Sequence, residues 1–400
     1  MKIHVKGNIR DLLAFKNLVP KRKKRIMRSS ATPIGADAVG ELSRRLHPQR
    51  QHLVISAVKD ETSTTKTFRL VPDPDALTPE LAPFQAGQYL SIKAEVNGVR
   101  ITRPYAISSS PGEKEFYEIT LRKTENGFLT EYAWANWKVG TKLDSSGPEG
   151  TFTYEPLRDT KEILGLAGGS GITPFRSMIK DIVENDLDLK LMLIYGIKCP
   201  DDIIFADELQ ELAKTAPEKI SVHYVCSEPD SCWQGRTGFL SADCITELAG
   251  DLSNKTLFIC GPPQMYRYLE EELKSLSLPK KRIRREAFGE VKDIEQYPGF
   301  PPEAQGKSFK LSVTMAGKSL EIPALSNETI LVAMERANLA PPSKCRSGEC
   351  GFCRSRLVAG DVFVRPEDDG RRAADKIFGY IHPCSSYPLS DIVIEVPRDV

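Results

Sequence analysis

The sequence predicts a multidomain chain with an antiparallel β-barrel, an α/β domain built on a parallel sheet, and a small α+β domain at the C-terminal end. Three observations predict it. Residues 51–157 hold short β-rich segments divided by turn residues. Residues 158–288 alternate apolar strands with helical stretches. Residues 307–400 open with a hairpin pattern followed by a helix. At 400 residues the chain is also too long for one ordinary core.

The barrel rests on HLVISAV, KTFRLV, QYLSIKAEV and YEITLRK. Turn signals at Pro72–Pro74, Asn97–Gly98, Pro111–Gly112 and Asn126–Gly127 separate them. The α/β domain rests on the strands EILGLA, LMLIYG, ISVHYV and TLFIC. Its helices are PFRSMIKDIVE, FADELQELAK and PQMYRYLEEELKSL. Residues 289–306 read as a linker, because Pro298, Pro301, Pro302 and nearby glycines break any period. In the last domain SFKLSVTM and KSLEIPA flank Ala316–Gly317 as a hairpin, and NETILVAMERANL is the helix.

Residues 1–50 are a basic N-terminal extension. Ile9, Leu12, Leu13 and Phe15 lie near helical spacing and suit a short amphipathic turn or two. Lys21 to Arg28 then holds six basic residues in eight. A solvated extension, a docking surface for an acidic partner or a membrane surface, and an organelle transit peptide all fit this pattern. Over the whole chain 55 Lys and Arg stand against 54 Asp and Glu, so no global charge argues for nucleic acid. No apolar run approaches the roughly 18 residues that a spanning helix needs. No signal-peptide pattern opens the chain. The expectation is a soluble, cytoplasmic protein. Nine cysteines, an odd number, also suit a reducing compartment better than a disulfide framework.

Four of those cysteines form a pattern. Cys345, Cys350 and Cys353 stand at C-x₄-C-x₂-C spacing in CRSGECGFC, and Cys384 follows in IHPCSSYP. This is the plant-type spacing for one [2Fe–2S] cluster. Two irons need four converging thiolates, and one wrapped loop can supply three. Gly348 and Gly351 permit the backbone angles of such a loop and let amides approach the sulfurs. The rival is zinc, which prefers paired C-x₂₋₄-C knuckles, often with histidine. The sequence has one C-x₂-C, a C-x₄-C overlapping it, and His382 as the nearby histidine.

Upstream, TRPYAISSSP resembles the R-x-Y-[S/T] motif of the ferredoxin–NADP⁺ reductase superfamily. The resemblance implies a flavin-binding barrel. In it Arg103 contacts the flavin phosphates, Tyr105 packs on the isoalloxazine, and Ala106, Ile107 and Ser108 continue the site. Ala106 stands where the family usually carries a serine that assists hydride transfer. NGFLTEYAW resembles the family's G-x-x-[S/T] turn, so Gly127, Phe128, Leu129 and Thr130 are expected at the pyrophosphate, where a helix start offers amides. A pyrophosphate favours FAD over FMN. VGTKLDSSGPEGTF is similar to the closing barrel strand, and Phe288 in RREAFGE is expected to cover the flavin.

LGLAGGSGITPFRSM puts Gly168, Gly169, Ser170 and Gly171 between a strand and a helix. Thr173 suits a cap for that helix, and Pro174 its first turn. Glycines let backbone amides approach a pyrophosphate. The loop alone is weak evidence, being neither G-x-G-x-x-G nor a P-loop. YGIKCPDDIIF, CSEPDSCWQGRTGF and CGPPQMY strengthen it, since they resemble the remaining nucleotide-domain motifs of the same superfamily in the same order. The resemblance places Cys260, Gly261 and Pro262 by the nicotinamide, so Tyr105 and Cys260 are the candidate catalytic positions. NADPH enzymes of the family tend to place Ser–Arg where this chain has Ser227–Glu228. A carboxylate repels a 2′-phosphate and accepts from a 2′-hydroxyl, so NADH is expected over NADPH. Arg236 is the competing signal.

The domain order resembles that of fused electron-transfer reductases of the phthalate dioxygenase reductase type, which end in a β-grasp ferredoxin domain. That resemblance implies NADH, FAD and a [2Fe–2S] cluster in series, feeding a terminal acceptor protein such as an oxygenase or a hybrid-cluster protein. A self-contained NAD(P)H oxidase or dehydrogenase would need a further catalytic motif, and the sequence offers none.

Overall fold

A computed structural model describes residues 9–29, 37–76, 78, 80–125, 127–276, 278–286, 289–291 and 293–397. The chain divides into two units, residues 1–45 and 46–400. In the first unit a helix runs Ile9–Arg28. It is longer than the one or two turns expected, because lysine and arginine are good helix formers and carry the helix past Phe15. Pro20 lies inside it. A second helix, Ala38–Leu46, starts where the Asp37 carboxylate accepts from the Gly40 amide at 3.0 Å. Among the described residues no helix is long and apolar enough to cross a membrane.

The second unit contains three main sheets. The first has six antiparallel strands in the order Val99–Ala106, Tyr89–Val96, Lys142–Ser145, Gln51–Thr62, Thr65–Pro72 and Tyr117–Arg122. Alternate residues such as Leu53, Ile55, Phe68, Leu70, Leu90 and Ile92 point to one core. The two edges meet where Ile107 bridges Ile119 and the Ser108 amide donates to the Glu118 carbonyl at 2.7 Å. Lys142–Ser145 is therefore not the strand that closes the barrel. It lies in the middle of the sheet, and residues 107–119 make the closure. Helix Phe128–Asn136 is seated by Leu129 and Ala133, and Trp137 just beyond it meets Phe68 edge-on at 5.4 Å.

The second sheet is wholly parallel, in the order Arg236–Thr237, Ile220–Cys226, Lys190–Ile197, Glu162–Gly168, Lys255–Cys260 and Ile283–Glu286. Its strands read as near-continuous apolar runs because both faces are covered. Two separate cores, one around Phe175, Tyr195 and Phe258 and one around Leu164, Ile194 and Leu257, are those faces. The strand order reverses between Glu162–Gly168 and Lys255–Cys260, which is where such sheets bind ligands at the carboxyl ends of their strands.

The third sheet runs Lys318–Leu325, Ser308–Met315, Ile392–Val396, Ser355–Ala359 and Tyr380–Ile381, with the second and third strands parallel. Helix Ile330–Arg336 buries Ile330, Leu331, Ala333 and Met334 on it, which is the β-grasp arrangement. The hairpin forms at Ala316–Gly317, both with positive φ (50° and 78°), as a primed turn requires. Residues 289–306 are not a free linker. Ile294, Phe300 and Ala304 bury against Tyr387 of the ferredoxin-like domain.

Candidate functional site

The cysteine loop lies between helix Ile330–Arg336 and strand Ser355–Ala359. Arg346, Gly348 and Gly351 all take positive φ there, at 58°, 82° and 68°, so the loop curls around a centre. The four thiols come together in one group. Cys345 contacts Cys350 and Cys384, and Cys353 lies 3.4 Å from Cys384. Amides face the sulfurs: Ser347 and Cys350 donate to Cys345 Sγ at 3.5 and 3.4 Å, and Phe352 donates to Cys350 Sγ at 3.4 Å. Amide donors of this kind hold thiolate sulfur and set the potential of a cluster. His382 fixes the loop through Nδ1 and the Gly348 carbonyl, 2.6 Å apart. Four converging thiols on one amide-lined loop and a neighbouring segment suit a two-iron cluster.

At the barrel end, Arg103 is half-buried and its Nη1 lies 3.1 Å from Glu335 Oε2 of the ferredoxin-like helix. Burial pushes the Tyr105 phenol up, so it stays protonated at neutral pH. Ala106 and Ile107 are buried. Ser108 is engaged at every polar atom. Its amide donates to Glu118, its carbonyl accepts from Arg176 at 3.0 Å, and its hydroxyl bonds Glu118 O and Thr120. It closes the barrel and keeps no polar atom for a ligand. Helix Phe128–Asn136 begins at Gly127 with no side-chain cap. A Cβ at Gly127 would sit 2.1 Å from Thr130 Oγ1 and 2.7 Å from the Thr124 carbonyl, so only glycine fits this helix start, where the first-turn amides have no side-chain cap. That open turn suits a phosphate.

In the parallel sheet the glycine loop is a 3₁₀ turn, Gly169–Ile172, that runs straight into helix Thr173–Glu184. Thr173 therefore does not cap the helix. Ile172 already has helical angles, and the Thr173 hydroxyl donates to the Ser170 carbonyl at 3.0 Å. A Cβ on Gly171 would lie 2.1 Å from the Cys260 carbonyl, which sets Gly168–Gly171 directly against Cys260 and Gly261. Cys260 is buried, and burial with the neighbouring Glu286 carboxyl pushes its thiol well up. Ser227 and Glu228 follow strand Ile220–Cys226 at the far edge. Glu228 is exposed and lies 3.5 Å from Lys198. Arg236 pairs with Glu247 at 2.5 Å. Phe288 lies outside the described residues.

Three side chains that sequence reasoning missed join these parts. Glu286 ends the last parallel strand beside Cys260, is 5 % exposed, and leaves Oε1 without a partner among the described residues. Burial, then Glu349 and Cys345, pushes its carboxyl well up. Tyr89 of the barrel is pushed up by burial and by Cys345 and Cys350. Arg122, at the end of a barrel strand, pairs with Asp202 at 3.0 Å beside Gly169. Barrel, parallel sheet and cysteine loop thus converge at the carboxyl ends of the parallel strands.

Family models match all three parts: an oxidoreductase FAD-binding domain over residues 52–154, an oxidoreductase NAD-binding domain over 166–271, and a 2Fe-2S iron-sulfur cluster binding domain over 313–389. NADH oxidoreductase HCR of Escherichia coli (strain K12) is 30 % identical over 315 residues, covering 78 % of this chain and 89 % of that protein. The glycine betaine monooxygenase reductase subunit of Chromohalobacter salexigens is 28 % identical over 349 residues, covering 84 % and 93 %. Among solved structures, phthalate dioxygenase reductase superposes with a TM-score of 0.62 at 24 % identity, over 87 % of this chain and 98 % of that one. The chain belongs to the ferredoxin–NADP⁺ reductase superfamily, in the group fused to a C-terminal plant-type [2Fe–2S] domain. It is an NAD(P)H oxidoreductase flavoprotein with FAD-binding, NAD-binding and [2Fe–2S] domains.

Proposed function

We propose the following division of labour. Residues 51–157 hold FAD, 158–288 hold NADH, and 307–400 hold the cluster, with 289–306 joining them. Arg103 and the amides of Phe128, Leu129 and Thr130, at the turn that Gly127 opens, take the flavin phosphates. Tyr105 packs on the isoalloxazine over Ala106 and Ile107. Gly168, Gly169, Ser170 and Gly171 take the NADH pyrophosphate, with Thr173 shaping the turn through Ser170. Cys260, Gly261 and Pro262 border the nicotinamide. Ser227 and Glu228 face the adenosine ribose, and Glu228 sets the preference for NADH, since Arg236 is held by Glu247. Cys345 with Cys350 holds one iron, and Cys353 with Cys384 the other.

Bound there, the flavin supplies conversion of a two-electron hydride into single electrons, and the cluster a carrier near about −400 mV. The protein aligns and dries the path. The observation that carries the reading is the pairing of the barrel with both other domains, through Arg103 with Glu335 and through Arg122 with Asp202. The test is an anaerobic NADH titration followed by flavin absorbance and by the electron paramagnetic resonance of the cluster. Cys350→Ser should keep NADH-driven ferricyanide reduction and lose cytochrome c reduction. Full cytochrome c activity in that variant would sink the reading.

The acceptor is proposed to be an oxygenase component, because a relative matched over nearly its whole length is a monooxygenase reductase subunit. The basic helix Ile9–Arg28 is proposed as a docking element for that acceptor. Deleting residues 1–45 without effect on its reduction would remove this role. The five cysteines outside the cluster, Cys199, Cys226, Cys232, Cys244 and Cys260, form no disulfide, which supports a reducing, cytoplasmic setting.

A further inference from the structure

We propose that Glu335 is a positioning residue that shares Arg103 with the flavin and so couples flavin binding to the seating of the cluster. The inference rests on the reading of Arg103 as a phosphate ligand. Glu335 stands on helix Ile330–Arg336 of the ferredoxin-like domain and is 4 % exposed. It accepts from two arginines of different domains. Arg103 Nη1 of the barrel reaches both carboxylate oxygens, at 3.2 and 3.1 Å. Arg346 Nη1, one residue from the ligand Cys345, reaches Oε1 at 2.6 Å. Arg346 also pairs with Glu290 in the segment that joins the domains, and donates to the Thr102 carbonyl at 3.4 Å. The Thr102 amide in turn donates to Glu335 at 3.5 Å.

A single carboxylate thus ties the cysteine loop, the joining segment and the flavin strand together. Buried ion pairs seldom add stability over an apolar core, but they fix one geometry, and removing one member leaves unpaired charge. Fixed geometry is what electron transfer needs, because its rate falls steeply with separation. Arg103 Nη1 is engaged by Glu335, while the rest of its fork carries no bond to a described residue beyond its own strand. One guanidinium can accept two anions at different edges. The two anions then compete for its charge and repel each other, so the flavin phosphate and Glu335 are linked thermodynamically.

The test uses the full-length holoprotein and Glu335→Gln. Two rates are read by stopped flow with NADH: flavin reduction and cluster reduction. FAD dissociation is read by flavin fluorescence, and hydrogen exchange is followed on 99–106 and 330–336. The expected result is a cluster reduction slowed at least tenfold relative to flavin reduction, FAD bound three- to tenfold more tightly, and faster exchange in both segments. Cluster reduction at the native rate, or weaker FAD binding, overturns the proposal. Asn338→Gly is the companion variant. Asn338 donates to the Gly98 carbonyl at 3.0 Å and has φ +55°, so glycine keeps the backbone and removes the contact. It should slow cluster reduction with FAD affinity unchanged; tighter FAD binding there would sink the shared-arginine mechanism. Arg103→Ala separates the two readings. If FAD affinity survives it, the phosphate role of Arg103 fails, even where Glu335→Gln still slows the cluster.

Discussion

Arg176 Nη1 lies 2.7 Å from Glu118 Oε2, and this contact joins a helix of the parallel sheet to a strand of the barrel. The same guanidinium bonds Glu208 through Nε at 2.6 Å and stacks over the Phe205 ring at 4.5 Å. Beside it Ser177 donates to the Ser109 carbonyl at 2.7 Å. Burial raises the Glu118 carboxyl, but Arg176 and Arg69 together outweigh it and the net position is below the ordinary range.

Arg176→Met should therefore lower stability by about 3 kcal/mol, because it removes the cation shared by Glu118 and Glu208 and leaves them only Arg69 and Lys180. Without Arg176, only Arg69 opposes burial at Glu118, so its folded pKa rises from its position in the native protein. The loss measured by urea unfolding should then be smaller at pH 5 than at pH 8. A loss independent of pH would show that packing over Phe205 is the main role.

Asp159 accepts from Arg158 at 2.7 Å and from Arg284 at 2.6 Å, with its side chain fully covered. Burial pushes this carboxyl up, yet the bonds from Arg158, the Glu155 segment and Arg284 hold it below the ordinary value. The folded pKa is the lower one, so its contribution is present above about pH 4, the unfolded value, and disappears as pH falls through the folded value. Asp159→Asn should cost about 2 kcal/mol at pH 7 and nearly nothing near pH 2. Urea midpoints at the two pH values check this.

Gly171→Ala should raise the KM for NADH at least tenfold with FAD content kept. Its Cβ would meet the Cys260 carbonyl carbon at 2.4 Å and the Gly261 amide at 2.7 Å, and backbone cannot step aside as a side chain can. Gly112→Ala is the control, since its nearest neighbour would be 3.5 Å away.

Glu228→Arg should move the preference toward NADPH. Replacing repulsion by an ion pair with the 2′-phosphate is worth about 1–3 kcal/mol, or roughly ten- to a hundredfold in the ratio of kcat/KM values. Glu228 is exposed, so the variant should fold normally, and steady-state rates with both nucleotides give the answer.

The strands and helices were legible where period and punctuation agree. LMLIYG and PFRSMIKDIVE are long, apolar and bounded by turns, and they fold as Lys190–Ile197 and Thr173–Glu184. The cysteine group was legible because three ligands share one loop. Long-range relations were not. Nothing local marks Lys142–Ser145 as a central strand, since four residues carry no period and only pairing with Gln51–Thr62 and Tyr89–Val96 defines it. Thr173 has the composition of a cap, but the 3₁₀ turn before it supplies the helix start. Glu286 and Glu335 look like surface carboxylates in sequence. Their significance arises from neighbours that only the fold supplies, Cys260 on the adjoining strand for Glu286 and Arg103 of the barrel for Glu335.

Arg103 of the barrel and Glu335 of the ferredoxin-like domain are held together within a single polypeptide. Internal transfer is thereby a first-order event, with the fusion setting an effective concentration that dilution cannot change. Once NADH is bound, the rate from nucleotide to cluster should stay constant as the protein is diluted, while the handover to the acceptor remains bimolecular. Protein abundance therefore acts on the handover and leaves the internal step untouched.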